Sequence, residues 1–259
     1  MNRSNWMWKT IASVALLFTA LWIAGFVYAV KTVVAPSGTL PAAADKSAEA
    51  PFAEDGSVEL VALGDSLTFG YGDSTGAGYV GRLREQLEAR TEKPVRVVGN
   101  FAVSGYTTAQ VLADLREREG IAAALKRADA VLLTAGGNDL LRLGDEIDVE
   151  AFEANVPEAL ANIRDILATL RDVAPEAHIY YIGLYNPFIE YVEIEGTSLA
   201  VQTWNDAVFR ELEPFANVTF VPTFDVFQHA TGRLLASDGY HPNDEGYARI
   251  AERLAMLME

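Results

Sequence analysis

Five short runs rich in β-branched and aromatic residues, at 57–64, 95–103, 130–135, 178–183 and 218–221, alternate with stretches whose apolar residues recur at helical spacing. The helical stretches carry Tyr79, Leu83 and Leu87, then residues 108–119, then Phe152, Val156, Ile163, Leu167 and Leu170, then residues 198–212. A last helix opens on Asn243 as N-cap, has Asp244 and Glu245 in its first turn, and aligns Tyr247, Ile250, Ala251 and Leu254 on one face. Connections that hold a helix must cross back over the sheet, so the alternation predicts an α/β fold with parallel strands covered on both faces. Such folds bind their ligands outside the carboxyl ends of the strands, and candidate chemistry is sought there.

The N-terminal end breaks this pattern. Residues 11–30 form an uncharged run of 20, bracketed by Lys9 and Lys31 and preceded by Arg3, Trp6 and Trp8. The run matches a bilayer core in length, exceeds the apolar stretch of a secretory signal, and is flanked by tryptophans suited to a membrane interface. The expected organisation is a signal anchor over residues 1–34, spanning the membrane at 11–30, then a flexible Ala/Pro/Ser-rich linker over 35–56 and a globular domain over 57–259. Arg3 and Lys9 lean the N-terminus inward, which places the domain on the extracytoplasmic side of the cell membrane. Small residues around Ala29 and Ala35 leave cleavage to a secreted form open.

Charge and composition narrow the function. The chain of 259 residues has 36 acidic and 20 basic side chains, net -16, and three of the basic ones fall in the first 31 residues. So acidic a body repels phosphates, which excludes nucleic acid and leaves any membrane contact to the N-terminal helix. The absence of cysteine excludes disulfides, thiolate nucleophiles and cysteine-ligated metals. There is no phosphate-loop motif, and His178, His229 and His241 form no helix-spaced metal pair, so neither cofactor nor metal is expected. Glycines 70, 72, 76 and 78 miss the dinucleotide spacing at Thr75 and read as a mobile loop on the substrate side.

The first run ends in GDSLTFGYG, residues 64–72. A serine just past a strand and beside small residues is presented on a sharp turn, with the start of a helix supplying N–H groups. Alone, the triplet reads equally as a capped turn, and Ser66 needs a base. His178 opens a strand as an edge or packing residue, and His229 sits in polar FQHATG. His241 lies in SDGYHPND just before the last helix, with Asp238 three residues earlier. One loop then carries both, the aspartate holding Nδ1–H and stabilising an imidazolium while Nε2 takes a proton from serine. The third run ends in TAGGNDL and the second is followed by VSGYTT, so Asn138 and Gly105 reach the same sheet edge. A serine N–H, a glycine N–H and an asparagine amide would make three donors for a developing oxyanion. Taken singly, Asn138 and Asp139 read as helix caps and Gly105 as a turn glycine; the signal is in the set.

These four blocks, in this order, resemble the SGNH hydrolases, the GDSL-type esterases and lipases. Ser66 stands in GDSLTFG, Gly105 in NFAVSGYTT, Asn138 in GGNDL and His241 in DGYHPN, and the resemblance spans residues 57–258. It implies Ser66 as nucleophile, His241 as base, Asp238 as orienting acid, and Ser66, Gly105 and Asn138 as the oxyanion hole. It also implies a flavodoxin-like three-layer α/β/α sandwich with a five-stranded parallel sheet. The implied activity is hydrolysis of carboxylic esters through an acyl-enzyme, the substrate being a lysophospholipid or other acyl lipid, a thioester, or an acetyl group on a cell-envelope polymer. The rival is a tethered, noncatalytic glycan- or lipid-binding module on the same fold, which would need none of the five residues as a set. Trp204 and Asn205 read as packing and local hydrogen bonding, Tyr240 as a rim residue, and 184–191 (LYNPFIEY) as a contact for the acyl or alcohol part.

Overall fold

The computed structural model describes residues 56–140, 149–189 and 196–258, with residues 9, 13, 15, 16 and 18–22 near the N-terminus. The chain divides into two units, Met1–Glu49 and Ala50–Glu259. The second holds β1 (Val58–Leu63), β2 (Val95–Asn100), β3 (Ala130–Leu133), β4 (His178–Ile182) and β5 (Val218–Val221). They form one sheet in the order β2-β1-β3-β4-β5, and every neighbouring pair is parallel, as the alternation predicts. Leu60 pairs with Ala130, Ala130 with His178, and Ile179 with Val218, which aligns the carboxyl ends of the central strands.

The described helices are α1 (Ser66–Phe69), α2 (Gly78–Thr91), α3 (Thr108–Glu117), α4 (Glu119–Leu125), α5 (Gly137–Leu140), α6 (Val149–Val173), α7 (Thr197–Leu212), α8 (Phe224–Phe227), α9 (Thr231–Leu234) and α10 (Asp244–Leu257). Side-chain alternation along the strands splits the core in two. Leu60, Ala62, Leu132, Tyr180 and Ile182 pack with Tyr79, Leu83 and Leu87 of α2 and with Tyr247, Ile250 and Leu254 of α10. Val61, Leu63, Val131, Leu133, Ile179 and Tyr181 pack with Val111 and Leu115 of α3, Ile163 and Leu167 of α6, and Trp204 of α7. Burial on both faces explains why the three central strands carry four consecutive apolar residues each, at 60–63, 130–133 and 179–182, instead of alternating with polar ones.

Several element ends fall one to three residues from expectation, and two of them are instructive. The second strand ends at Asn100 instead of 103, although Phe101 N and Val103 N still donate to Ala62 O at 2.8 Å and Gly64 O at 3.0 Å; the Asn100 side chain bonds across this turn, Oδ1 accepting from Ala102 N at 3.1 Å and Nδ2 donating to Thr68 O at 2.9 Å. The helix expected over 108–119 ends at Glu117, where Arg118 adopts an extended backbone before α4 begins. The run at 11–30 and the linker at 35–56 lie for the most part outside the described residues. Those described at 13, 15, 16 and 18–22 are helical and exposed, Thr19 Oγ1 donating to Ala15 O at 2.9 Å. Among the described residues no helix is long and apolar enough to cross a membrane.

Strand order positions the site. From β1 the chain passes to β2 on one side and then returns beyond β1 to β3 on the other. The connections therefore leave β1 and β3 in opposite directions and open a crevice at their carboxyl ends. The segments after these two strands are those carrying Ser66 and Asn138.

Candidate active site

Gly64 begins the turn out of β1 at φ +137, and a Cβ there would stand 2.3 Å from Thr134 O, so the turn admits only glycine. Asp65 follows as the N-cap of α1, its Oδ1 accepting from Leu67 N at 3.0 Å and from Thr134 Oγ1 at 2.8 Å. Thr134 Oγ1 also lies 2.8 Å from Thr68 Oγ1, which is 2.6 Å from Tyr79 OH. Burial pushes the Asp65 carboxyl above its ordinary value, against the bonds from Thr134 and Leu67. This network holds α1 against the sheet and sets Ser66 at its first position.

Ser66 Oγ lies 2.9 Å from His241 Nε2, and His241 Nδ1 lies 2.7 Å from Asp238 Oδ2. Asp238 Oδ1 accepts from the backbone N–H of Tyr240 at 2.9 Å and of His241 at 3.0 Å, so the three-residue spacing closes into a tight loop. Burial raises the Asp238 carboxyl, but the bonds from the His241 ring and from these two N–H groups outweigh it and hold it below its ordinary value. The His241 side chain is 4% exposed, whereas that of Asp238 is 32% exposed. The imidazole has two rings against it, Tyr71 at 4.6 Å and Tyr240 at 5.0 Å between centroids. A hydroxyl, an imidazole and a carboxylate in this chain can move a proton off oxygen and stabilise the resulting cation.

Gly105 adopts the left-handed conformation at φ +84 in an exposed turn, and a Cβ there would meet nothing within 4 Å. Asn138, half-buried in α5, donates through Nδ2 to Tyr106 O at 2.9 Å. Among the described residues, the N–H groups of Ser66 and Gly105 donate to no protein acceptor. Thus all five residues singled out from the sequence are placed at the carboxyl edge of the sheet, on segments following β1, β2, β3 and β5.

The remaining expectations fared variously. His178 packs in the sheet, its ring stacked on Tyr180 and Nε2 2.8 Å from Thr219 Oγ1, on a strand with neighbours on both sides. His229 lies in an exposed turn after α8. Trp204 is buried, as expected, against Gly136 of the GGNDL block. Asn205 does not bond locally: it reaches back 21 residues to take both backbone groups of Leu184, Oδ1 accepting from N at 2.9 Å and Nδ2 donating to O at 2.8 Å. That bracket fixes the start of LYNPFIEY, in which Tyr185 OH donates to Tyr240 O at 2.6 Å and Phe188 lies 5.8 Å from the Tyr240 ring. Glu190 and Tyr191 lie outside the described residues.

The glycine loop expected to be mobile is tied down instead. Asp73 accepts from Arg82 Nη1 at 2.6 Å and Nη2 at 3.0 Å and from Gly78 N at 2.6 Å, while Asp244 holds Ser74 N at 2.7 Å. The sequence reading missed Tyr71 and Asp139. Asp139 was expected to cap its own helix, yet it accepts from Thr108 N at 2.8 Å and Thr108 Oγ1 at 2.6 Å, at the start of α3.

Known proteins resemble this chain over most of its described length. Residues 62–249 match the GDSL-like lipase/acylhydrolase family. An uncharacterized protein YpmR of Bacillus subtilis strain 168 is 32% identical over 209 residues, spanning 76% of this chain and 80% of its own. The spore germination lipase LipC of Bacillus licheniformis is 30% identical over 206 residues, spanning 76% and 94%. Among solved structures, the lipase Lip_vut3 from a goat rumen metagenome has a TM-score of 0.68 at 29% identity, over 77% of this chain and 96% of its own. The acetylxylan esterase Axe2 from Geobacillus stearothermophilus has a TM-score of 0.60 at 23% identity, over 78% and 95%, a likeness of fold.

Proposed function

The chain belongs to the GDSL-like lipase/acylhydrolase family of carboxylic ester hydrolases, and from that premise we propose that it hydrolyses acyl esters through a Ser66-His241-Asp238 triad. The observation that carries the reading is the relay of 2.7 and 2.9 Å from Asp238 through His241 to Ser66. Ser66 Oγ attacks the ester carbonyl carbon and passes its proton to His241 Nε2, Asp238 holding Nδ1–H and so the tautomer. The carbonyl oxygen, now anionic, is met by the N–H groups of Ser66 and Gly105 and by the Asn138 amide. Collapse expels the alcohol, which takes the proton from His241 and leaves an acyl ester on Ser66. Water then attacks that ester with His241 again as base, releasing the carboxylic acid and restoring the serine.

Two relatives near 30% identity are named lipases, which supports an acyl lipid as substrate over an acetyl ester. The half-exposed Tyr71 ring beside His241 and the Phe188–Tyr240 pair supply apolar surface on the side where the base and the leaving group meet. The same proposal takes residues 1–34 as an uncleaved anchor, 35–56 as a linker and 57–259 as an extracytoplasmic domain, supported by the uncharged run at 11–30. It takes the fold as a flavodoxin-like three-layer sandwich, supported by the strand order and the two cores.

The test is release of p-nitrophenol from acetate, butyrate and longer esters by the full chain, beside Ser66→Ala, His241→Ala and Asp238→Asn. The parent turns over, butyrate or longer esters exceed acetate, and each variant loses about 10³-fold or more in kcat. A folded parent silent on every ester overturns the reading, and a preference for acetate overturns its lipid part.

A further inference from the structure

Two of the three oxyanion donors proposed above stand on connections other than that of Ser66 and separate from each other. Gly105 lies between β2 and α3, and Asn138 lies after β3 in α5. Donors to an oxyanion act only within a few tenths of an ångström of ideal distance, so something must hold one segment against the other. Asp139, the residue after Asn138, reaches across and takes both the N–H and the hydroxyl of Thr108, three residues after Gly105. The Asn138 amide crosses the same gap to Tyr106 O.

The clamp is braced from behind by α6. Asn162 Nδ2 donates to Thr108 Oγ1 at 3.0 Å, and Asn155 Nδ2 donates to Asp139 O at 3.0 Å. Thr108 is fully buried. Asp139 takes the first N–H of α3, which the helix's own reach-back leaves unmet, since Gln110 Oε1 accepts from Thr107 N at 3.0 Å; capping does not account for its second bond, from the Thr108 hydroxyl. Nor does cheap stability, since burial raises the Asp139 carboxyl despite both bonds from Thr108. A carboxylate held at such cost, touching one donor segment and covalently next to the other, serves position.

We propose that Asp139 is a positioning residue: by clamping Thr108 it fixes the spacing between Gly105 N–H and the Asn138 amide. This rests on the oxyanion reading of those two groups. It acts on the transition state through them and leaves ground-state binding of the ester largely alone.

The experiment measures kcat and KM on p-nitrophenyl butyrate with the full chain, for Asn138→Ala, Asp139→Asn, their double variant, Thr108→Val and Thr108→Ser. Asn138→Ala lowers kcat about 100-fold, and Asp139→Asn about 10-fold with KM within about twofold. In the Asn138→Ala background the Asp139→Asn step adds less than about threefold, because the donor it aims is gone. Thr108→Val repeats the loss and Thr108→Ser restores kcat to within about threefold of the parent, which also carries the test should Asp139→Asn not fold. An undiminished Asp139→Asn effect in the Asn138→Ala background overturns the inference. So does a rise in KM at constant kcat, or an inert Asp139→Asn beside a damaging Asn138→Ala. If Asn138→Ala is itself inert, the oxyanion reading falls and the inference with it.

Discussion

Replacing Asp73 by asparagine tests what holds the loop beside the base. The Asp73 side chain is fully buried and receives both guanidinium nitrogens of Arg82, the N–H of Gly78 and the hydroxyl of Thr75. The substitution keeps the shape, removes the charge, and turns an NH₂ group towards one of these donors. Breaking a buried ion pair costs about 3–5 kcal/mol, and the Arg82 side chain, being partly reached by water, argues for the lower end. About 3 kcal/mol lowers Tm by about 6–12 °C for a domain of this size. The pH dependence follows from sign. Burial raises the Asp73 carboxyl, but Arg82, Gly78 and its other partners outweigh it and hold it far below its ordinary value. A group depressed on folding stabilises fully above its unfolded value of about 3.9, and that contribution is lost as pH falls towards the folded one. The Tm gap between parent and variant is therefore full at pH 7 and narrows below about pH 4, read by circular dichroism from pH 7 to 3. A gap under about 2 °C at pH 7, or one that stays constant into acid, refutes the reasoning.

Two further substitutions test the backbone of the site. Gly64→Ala, whose Cβ would meet Thr134 O at 2.3 Å, destabilises by more than about 3 kcal/mol and lowers soluble yield, whereas Gly105→Ala, in open space at φ +84, costs only about 1–2 kcal/mol; thermal melts of both check the contrast. Asn243→Ala removes the acceptor of Glu245 N and Gly246 N and the donor to Arg233 O and Leu235 O. A drop of about 1–2 kcal/mol, or about 2–8 °C in Tm, follows, and an unchanged melt would remove Asn243 from the account of how α10 and the His241 loop are joined.

Legibility followed the range of the interactions. The three central strands could be read because burial on both faces gives each four consecutive apolar residues, and α10 because its cap, acidic first turn and apolar stripe all lie within one segment. The Asp238–His241 contact could be read for the same reason, since both ends sit in one loop three residues apart. Local pattern failed where a side chain chose a distant partner. Asp139 and Asn205 both sit in helices and both have polar groups fit for local capping, yet their partners lie 31 and 21 residues away. The glycines at 70–78 spelled mobility, and a single carboxylate, Asp73, reversed that by drawing Arg82 and Gly78 onto itself.

The Ser66–His241 contact is the hardest case, because it joins residues 175 positions apart and was still anticipated. No local signal links the two. What links them is topology: in a parallel sheet the strands end, and the helices packed back along them begin, at one edge, so Ser66 just after β1 and His241 just before α10 share a neighbourhood before any contact is known. That rule also brings Gly105 and Asn138 near each other, but only to within the width of a loop. The final approach, on which an oxyanion's hydrogen bonds depend, falls to side chains that no strand pattern specifies, and the Asp139–Thr108 clamp is the group of contacts that supplies it.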